Sequence, residues 1–189
     1  MNTKAFEVAL NKGLSLGRWK SLNNWISKEL SFSFRSDVEN TKDFDRDIYG
    51  KILALFGDPV FLHSSGSSNV IKILEYDWSS FSKDQKNELR SVLVNAYSKL
   101  ADPLSWFLIS EILGKYYADS QALEALKMLR RTITNDEARS LIPMGFEQIV
   151  RNAPEEVAST AFEELTQMRS DESEQVRMEV DISFDRLAP

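Results

Sequence analysis

The sequence predicts an all-α protein, and three observations lead to this prediction. From residue 82 onward, apolar residues recur at i, i+3, i+4, i+7 and i+8, the buried stripe of an amphipathic helix. Six successive segments carry this stripe, and connections of a few residues between them make neighbouring helices antiparallel, giving three helix pairs. The 189 residues include no cysteine and are 42% hydrophobic, so an apolar core must stabilise the fold without disulfides.

The first 81 residues are less regular. Helical patterns occupy 3–14, 18–30 and 43–56, whereas "LSFSFRSD" alternates like a short strand or an extended loop. "LHSSGSSN" has the composition of a loop, and the periodicity of the following "VIKILEYDW" does not assign it. We therefore expect an irregular helical cap over 1–81, in one continuous domain with three helix pairs over 82–189. Whether the cap forms a further repeat stays open.

The six stripes of the regular part define the expected helices. Glu164 interrupts the fifth stripe. When Ala138 is aligned with Val176, Phe146 falls over Phe184, so both phenylalanines are expected in the core, where either Phe→Ala change costs ~3–5 kcal/mol. In chain order, the stripes run from Leu89 to Leu100, Ser105 to Tyr116, Ala122 to Ile133, Ala138 to Ile149, Val157 to Met168 and Val176 to Leu187.

Local signals mark the helix boundaries. "SKDQ" at 82–85 and "TNDE" at 134–137 have the spacing of a capping box, in which Ser or Thr opens the helix. Pro103 and Pro154 stand where a first helical turn accepts proline. Pro143 falls inside a stripe, where its missing N–H and its ring predict a kink.

The openings of the second helices carry a family resemblance. "DPLSW", "DEARS" and "EQVRM" resemble the Asp-x-x-Val-Arg start of the second helix in HEAT-type repeats. Counted between the stripe positions Ser105, Ala138 and Val176, the second helices are spaced by 33 and 38 residues. The resemblance covers about residues 82–189 and implies a short α-solenoid of stacked helix pairs. It also implies that Arg139 and Arg177 pair with acidic residues of a neighbouring repeat. Trp106 stands where the first repeat should have arginine.

No residue pattern indicates a reaction. His63 is the only histidine, and the serines beside it lie in a loop-like segment without a nucleophile-elbow pattern. Two pairs of glutamates between residues 155 and 164 lack the Glu-x-x-His spacing of iron-binding bundles, which favours a hydrated surface. Gly114 and Gly145 are the only glycines of residues 82–189 and each stands alone in a helical pattern, so no phosphate loop is predicted in this region. We expect neither an enzyme nor a site for a cofactor, metal or small-molecule substrate.

Charge is unevenly distributed along the chain. Residues 119–189 contain 8 Lys/Arg and 15 Asp/Glu, a net charge of −7, whereas residues 1–118 carry +1. Nucleic-acid binding requires clustered cations, so the acidic end is not expected to bind nucleic acid. No uncharged apolar run approaches the ~20 residues of a membrane span, and the start "MNTKAFEVALNKG" does not resemble a secretory signal. These features predict a cytoplasmic protein that does not bind membranes.

The acidic end suggests a surface for protein binding. Met144, Glu147, Asp181 and Asp185 lie out of phase with the stripes of the last two second helices, so we expect them on one exposed face. Trp106 is a candidate aromatic anchor for a partner protein. Carboxylates around a few apolar groups fit a basic partner protein, because opposite charges speed association and apolar contacts slow release.

A second resemblance concerns function. In size, charge and class, the chain is similar to immunity proteins of bacterial contact-dependent growth inhibition systems, some of which are helical and cover nuclease toxins. This similarity implies a non-enzymatic inhibitor that neutralises a basic toxin by occupying its surface. A general helical-repeat adaptor or scaffold is the alternative, and a DNA-repair glycosylase of the helical-repeat kind is the least favoured because of the acidic charge. The identity of the partner and the oligomeric state stay open.

Overall fold

The computed structural model describes residues 46–63, 66–76 and 78–188, and no strand occurs in these ranges. The prediction of an all-α fold is therefore confirmed for this part of the chain. The expected helices at 3–14 and 18–30, and the extended "LSFSFRSD", lie outside the described residues.

The chain forms two compact units, of which the first ends at Asp102 and the second begins at Pro103. The helix that carries the first stripe belongs to the first unit, and the other five stripes belong to the second unit. The expected stacking of three pairs over 82–189 stays a prediction.

In the first unit, the serine-rich segment is only partly a loop. A helix begins at Gly66, so the end of "LHSSGSSN" is helical. Ser67 and Ser68 in this part are buried. The unassigned "VIKILEYDW" continues this helix as far as Tyr76. The elements are α1 (Arg46–Leu55), α2 (Pro59–Leu62), α3 (Gly66–Tyr76), a 3-10 turn (Trp78–Ser80) and α4 (Lys83–Tyr97).

The start of α4 confirms the first predicted capping box. The Gln85 backbone N–H donates to Ser82 Oγ at 3.2 Å, and the Ser82 backbone N–H donates to Gln85 Oε1 at 2.9 Å. Tyr49 of α1 donates its hydroxyl hydrogen bond to the Gln85 carbonyl at 2.7 Å. Burial, together with the nearby Glu88 carboxylate, raises the pKa of Tyr49 above its usual range.

In the second unit, every predicted stripe is helical. The fourth stripe is divided into two helices, and two others end in a different helical form. The elements are α5 (Pro103–Ile112), a π-helical segment (Leu113–Tyr117), α6 (Ser120–Thr132), α7 (Asp136–Ser140), α8 (Ile142–Asn152), α9 (Glu155–Gln167), a 3-10 turn (Met168–Ser170) and α10 (Glu174–Leu187).

The boundaries follow the predicted signals with two corrections. The cap of α7 is Asn135 rather than Thr134, because the Asn135 side chain accepts from the Ala138 backbone N–H at 3.0 Å and asparagine caps more strongly than threonine. Instead of the kink expected at Pro143, the helix is interrupted at Leu141, which separates α7 from α8. Proline lacks the N–H that would continue α7, but it is tolerated in the first turn of α8.

Helix α8 lies at the centre of the second unit. It contacts α5, the π-helical segment, α6, α9 and α10. Ile142, Phe146 and Ile149 of its stripe are completely buried. Because helices surround α8, Pro143, Met144 and Glu147 are buried as well, although they lie outside its stripe.

Two glycines allow the π-helical segment and α8 to touch through their backbones. A Cβ atom on Gly114 would overlap the Gly145 carbonyl oxygen and lie 2.5 Å from Gln148 Cβ. A Cβ atom on Gly145 would lie 2.8 Å from Leu126 Cδ2 and 3.0 Å from the Ser110 carbonyl oxygen. Gly114 therefore allows the π-helical segment to approach α8 closely, and Gly145 allows α8 to approach α5 and α6.

Candidate functional site

The structure divides the five predicted partner-binding residues into a buried group and an exposed group. Trp106, Met144 and Glu147 are only 5%, 8% and 2% exposed. The prediction that Met144 and Glu147 lie on an exposed face is wrong, and Trp106 is not available as a surface anchor. Asp181 and Asp185 of α10 are exposed as predicted.

Glu147 is buried because α10 covers α8 on the side where it projects. Its Oε1 accepts from Arg151 Nε at 3.1 Å, and its Oε2 lies 3.5 Å from Arg186 Nη1. Arg151 also donates to the main-chain carbonyl of Arg186. The carboxylate thus joins two helices of the core and has no free surface for a partner.

Replacing Glu147 by Gln is expected to lower the free energy of unfolding by about 1–2 kcal/mol, because a charged hydrogen bond in a buried site becomes a neutral one. Urea denaturation followed by circular dichroism measures the change. Glu163→Gln on the exposed side of α9 is the matched control and should change stability by less than about 0.5 kcal/mol. Equal effects of the two substitutions would contradict a structural role for the Glu147 carboxylate.

Glu164 is also buried and paired with an arginine. The prediction that the glutamates between residues 155 and 164 form a hydrated surface is therefore wrong for this residue. It is 9% exposed, and its Oε2 accepts from Arg130 Nη1 at 2.6 Å. Lys127 Nζ lies 3.8 Å from Oε1. This interruption of the fifth stripe is therefore an ion pair between α6 and α9.

Arg139 is 7% exposed and pairs with an acid, as the HEAT resemblance implied. Its Nη2 lies 3.1 Å from Asp171 Oδ1, 32 residues later in the chain. Arg177 differs, because its Nη1 donates to the main-chain carbonyls of Asp171 and Glu172 at 2.6 and 2.9 Å. The expected pairing of Arg177 with an acidic side chain is replaced by bonds to main-chain carbonyls.

The two arginines nevertheless each make one equivalent hydrogen bond to the main chain. Arg139 Nη1 donates to the carbonyl of Ile133 at 3.3 Å, and Arg177 Nη1 donates to that of Asp171, in each case six residues earlier. Ile133 and Asp171 are the C-cap residues of α6 and of the 3-10 turn after α9. Each arginine therefore ties the start of a second helix to the end of the helix before it.

A polar groove of about 600 Å³ lies beside these arginines. Its charged lining contains three arginines and three carboxylates, so the groove has no net charge. Most of these charges already pair with one another across it. The groove thus offers neither a charge excess nor an apolar anchor to a ligand. The charged residues are Arg130, Arg131, Arg139, Glu164, Asp171 and Glu172.

The exposed side of α10 has a different character. Met178 and Ile182 are 59% and 38% exposed and stand one turn apart, opposite the buried Val176 and Val180. Asp181 and Asp185, also one turn apart, form an acidic row beside this apolar row. Large apolar side chains in water next to carboxylates are typical of a protein-binding surface.

Phe162 of α9 extends this surface. It is 45% exposed and packs its ring edge-to-face on Phe184 of α10, with ring centroids 5.3 Å apart. The Arg169 guanidinium lies 3.9 Å from the Phe184 ring centroid, and its Nε is 3.8 Å from Asp181 Oδ1. We call Phe162, Met178, Asp181, Ile182 and Asp185 the outer face of α9 and α10.

Phe184 is half-buried, whereas Phe146 is completely buried, so the predicted equivalence of the two residues is wrong. Helices surround α8, but α10 packs against α7 and α8 with one side. Sequence reasoning also missed Phe162, Met178 and Ile182. The signal was present in the sequence, because Met178 and Ile182 are large apolar residues outside the stripe of their helix.

The described residues contain no group of three or more His, Asp or Glu side chains that could hold a metal ion. His63 is exposed and donates from Nδ1 to the Pro59 carbonyl at 2.7 Å. Within 46–63, 66–76 and 78–188, no helix combines the length and the apolar character that crossing a membrane requires. No protein-family model, curated protein or solved structure matches this chain.

Proposed function

We propose that this protein is a non-enzymatic inhibitor that binds a basic partner protein through the outer face, as an immunity protein covers a cationic toxin. The single observation that carries the proposal is the exposure of Met178 and Ile182 beside Asp181 and Asp185. A partner with lysine or arginine around an apolar patch would bury both rows together. Inhibition then requires only occupancy of the partner's surface.

The net charge supports a basic partner. Residues 119–189 carry −7, and the two buried carboxylates among the described residues of the second unit, Glu147 and Glu164, are already paired with arginines, as is the partly buried Asp171. The acidic row of Asp181 and Asp185 is exposed, and although Asp181 lies 3.8 Å from Arg169 Nε, both carboxylates remain accessible to a partner. Their field would speed the approach of a cationic protein at low ionic strength.

We also propose that the helix pairs of the second unit are repeats of the HEAT type. The equivalent bonds of Arg139 and Arg177, 38 residues apart, support this proposal. So does the packing of α8, the second helix of one pair, against both α9 and α10 of the next. In such a stack the outer face is the side on which a further helix pair would pack.

Replacement of Asp181 and Asp185 by lysine tests the proposal. Their exposed carboxylates contribute little to stability, so the melting temperature should change by no more than about 2 °C. Association with the basic partner should slow ~10-fold at low salt and become less dependent on salt, because the steering charges are reversed. Stopped-flow or biolayer interferometry at several salt concentrations measures both effects.

Two controls make this test specific. Glu124→Lys with Glu137→Lys alters the net charge equally on exposed positions of α6 and α7, and association should stay close to that of the parent protein. The partner itself is identified by placing a photo-crosslinking residue at position 178 in living cells, with position 128, also exposed, as the matched site. A crosslinked protein of acidic charge, or equal crosslinking at both positions, would contradict the proposal.

The activity of the crosslinked partner in the complex also distinguishes an inhibitor from an adaptor. An inhibitor abolishes the partner's activity when mixed with it in equal amounts, and cells that express the toxin should survive only with an intact outer face. Full activity of the partner in the complex would favour the helical-repeat adaptor.

A further inference from the structure

The two long sides of α10 have opposite surroundings. One side, with Val176, Val180 and Ser183, is buried against α7 and α8. The other side presents Met178 and Ile182 to solvent, although these side chains have the size and polarity of core residues. Among residues 46–63, 66–76 and 78–188, none covers this second row enough to bury it, so the row lacks a packing partner in the described part of the chain.

The shape of this row limits what can cover it. Met178 and Ile182 are separated by one helical turn, and the acidic row of Asp181 and Asp185 runs beside them with the same spacing. An apolar row and a parallel charged row along one axis match a second amphipathic helix, whose residues also repeat every three or four positions. The part of the chain that the structure describes has no strand, so it offers no sheet edge to which a partner strand could add.

Charge limits the occupant further. A second copy of this chain would bring its own Asp181 and Asp185, and its excess of carboxylates, toward the same face, and like charges in contact oppose association. Lysine and arginine side chains suit the acidic row, because their aliphatic stems cover apolar surface while their cationic ends reach a carboxylate. The complementary occupant is a helix with an apolar stripe edged by lysine or arginine.

We infer that the outer face binds a basic amphipathic helix of the partner protein, laid along α10 with its apolar stripe on Met178 and Ile182 and its cations on Asp181 and Asp185. The inference rests on the proposed function and makes it more specific, since it names the element of the partner that is recognised. Phe162 widens the apolar contact on the α9 side.

Three synthetic peptides of about 18 residues, five helical turns, test this inference on the full chain. The first has leucine at i, i+3, i+4 and i+7 and lysine elsewhere. The second keeps the leucines and replaces lysine by glutamate. The third contains the same leucines and lysines in an order that has no stripe. Methyl ¹³C NMR of the methionines reports the site, because Met178 and Met128 are exposed on different helices whereas Met144 and Met168 are buried.

The leucine–lysine helix is expected to shift the Met178 methyl signal and to leave the Met128 signal in place. It should bind ~10-fold or more tightly than either control peptide, since only it offers both the stripe and the cations. Met178→Leu assigns the signal. In the variant with Asp181→Lys and Asp185→Lys, the preference should invert, so that the leucine–glutamate helix binds more tightly than the leucine–lysine helix.

Three outcomes would overturn the inference. One is equal binding of the peptide without a stripe, which would mean that charge alone is recognised. Another is an equal shift of Met128, which would mean non-specific adhesion. The last is the absence of any shift at Met178. None of these outcomes would contradict the proposed function. That function is tested by the charge-reversal experiment with the complete partner, whose result does not depend on a helical docking element.

Discussion

Replacing Gly114 by alanine should destabilise the second unit by about 3 kcal/mol or more, at the upper end of the cost of overpacking a core. The new methyl group would overlap the main-chain carbonyl oxygen of Gly145, which no rotamer change can move away. The added helix propensity of alanine, about 1 kcal/mol, is too small to compensate. Urea denaturation followed by circular dichroism measures the loss.

Gly50→Ala in α1 is the matched control. No atom lies within 4 Å of the position that its Cβ would occupy, so the same substitution gains helix propensity without a clash. We expect an increase in stability of about 0.5–1 kcal/mol. If Gly114→Ala were as stable as Gly50→Ala, the π-helical segment and α8 could not cross as closely as described.

The second large effect is expected for Phe146→Ala, at about 3–5 kcal/mol, because the ring is completely buried and its removal leaves a cavity. Phe184→Ala should cost only about 1–2 kcal/mol, since its half-buried ring leaves less apolar area to lose and the site is open to water. The difference between the two free energies of unfolding, from the same urea titrations, checks the burial of each ring.

Equal losses at both positions would restore the equivalence that the sequence alignment predicted. Phe162→Ala provides a further control, because this residue packs on Phe184 from the solvent side. Its effect should be no larger than that of Phe184→Ala. A larger effect would mean that the rings stabilise the pair of helices more than their exposure implies.

The helices of the second unit could be predicted because apolar periodicity reports which residues share one side of a helix. The same signal does not report how many sides of that helix are covered. Helix α8 is surrounded, so Glu147 and Met144 are buried although they lie outside its stripe. The described residues cover helix α10 on one side, and Phe184 at the edge of its stripe is half exposed.

Charged residues were misassigned for a related reason. A glutamate is expected to be solvated unless a cationic side chain from another helix pairs with it. The arginine that pairs with Glu164 is Arg130, which is 34 residues away in the chain. No local pattern reveals such a pair. The outer face was half predicted, since Asp181 and Asp185 were identified while Met178 and Ile182 beside them were not.

Local rules also explain which boundaries were found. The capping box at Ser82 depends on residues within one turn and was confirmed. The break before α8 required a choice between a bent helix and two helices, which one proline does not decide. Asn135 competed with Thr134 for one cap, and only the stronger acceptor occupies it.

The bonds of Arg139 and Arg177 have a consequence for how such a chain can evolve. Each arginine binds a carbonyl six residues before it, so the information that closes the turn is contained in a short, contiguous stretch of gene. Duplication or deletion of a whole 38-residue period that begins at Thr134 keeps every arginine six residues after a C-cap carbonyl. Recombination within these turns could therefore lengthen or shorten the protein by complete helix pairs and leave the remaining turns intact.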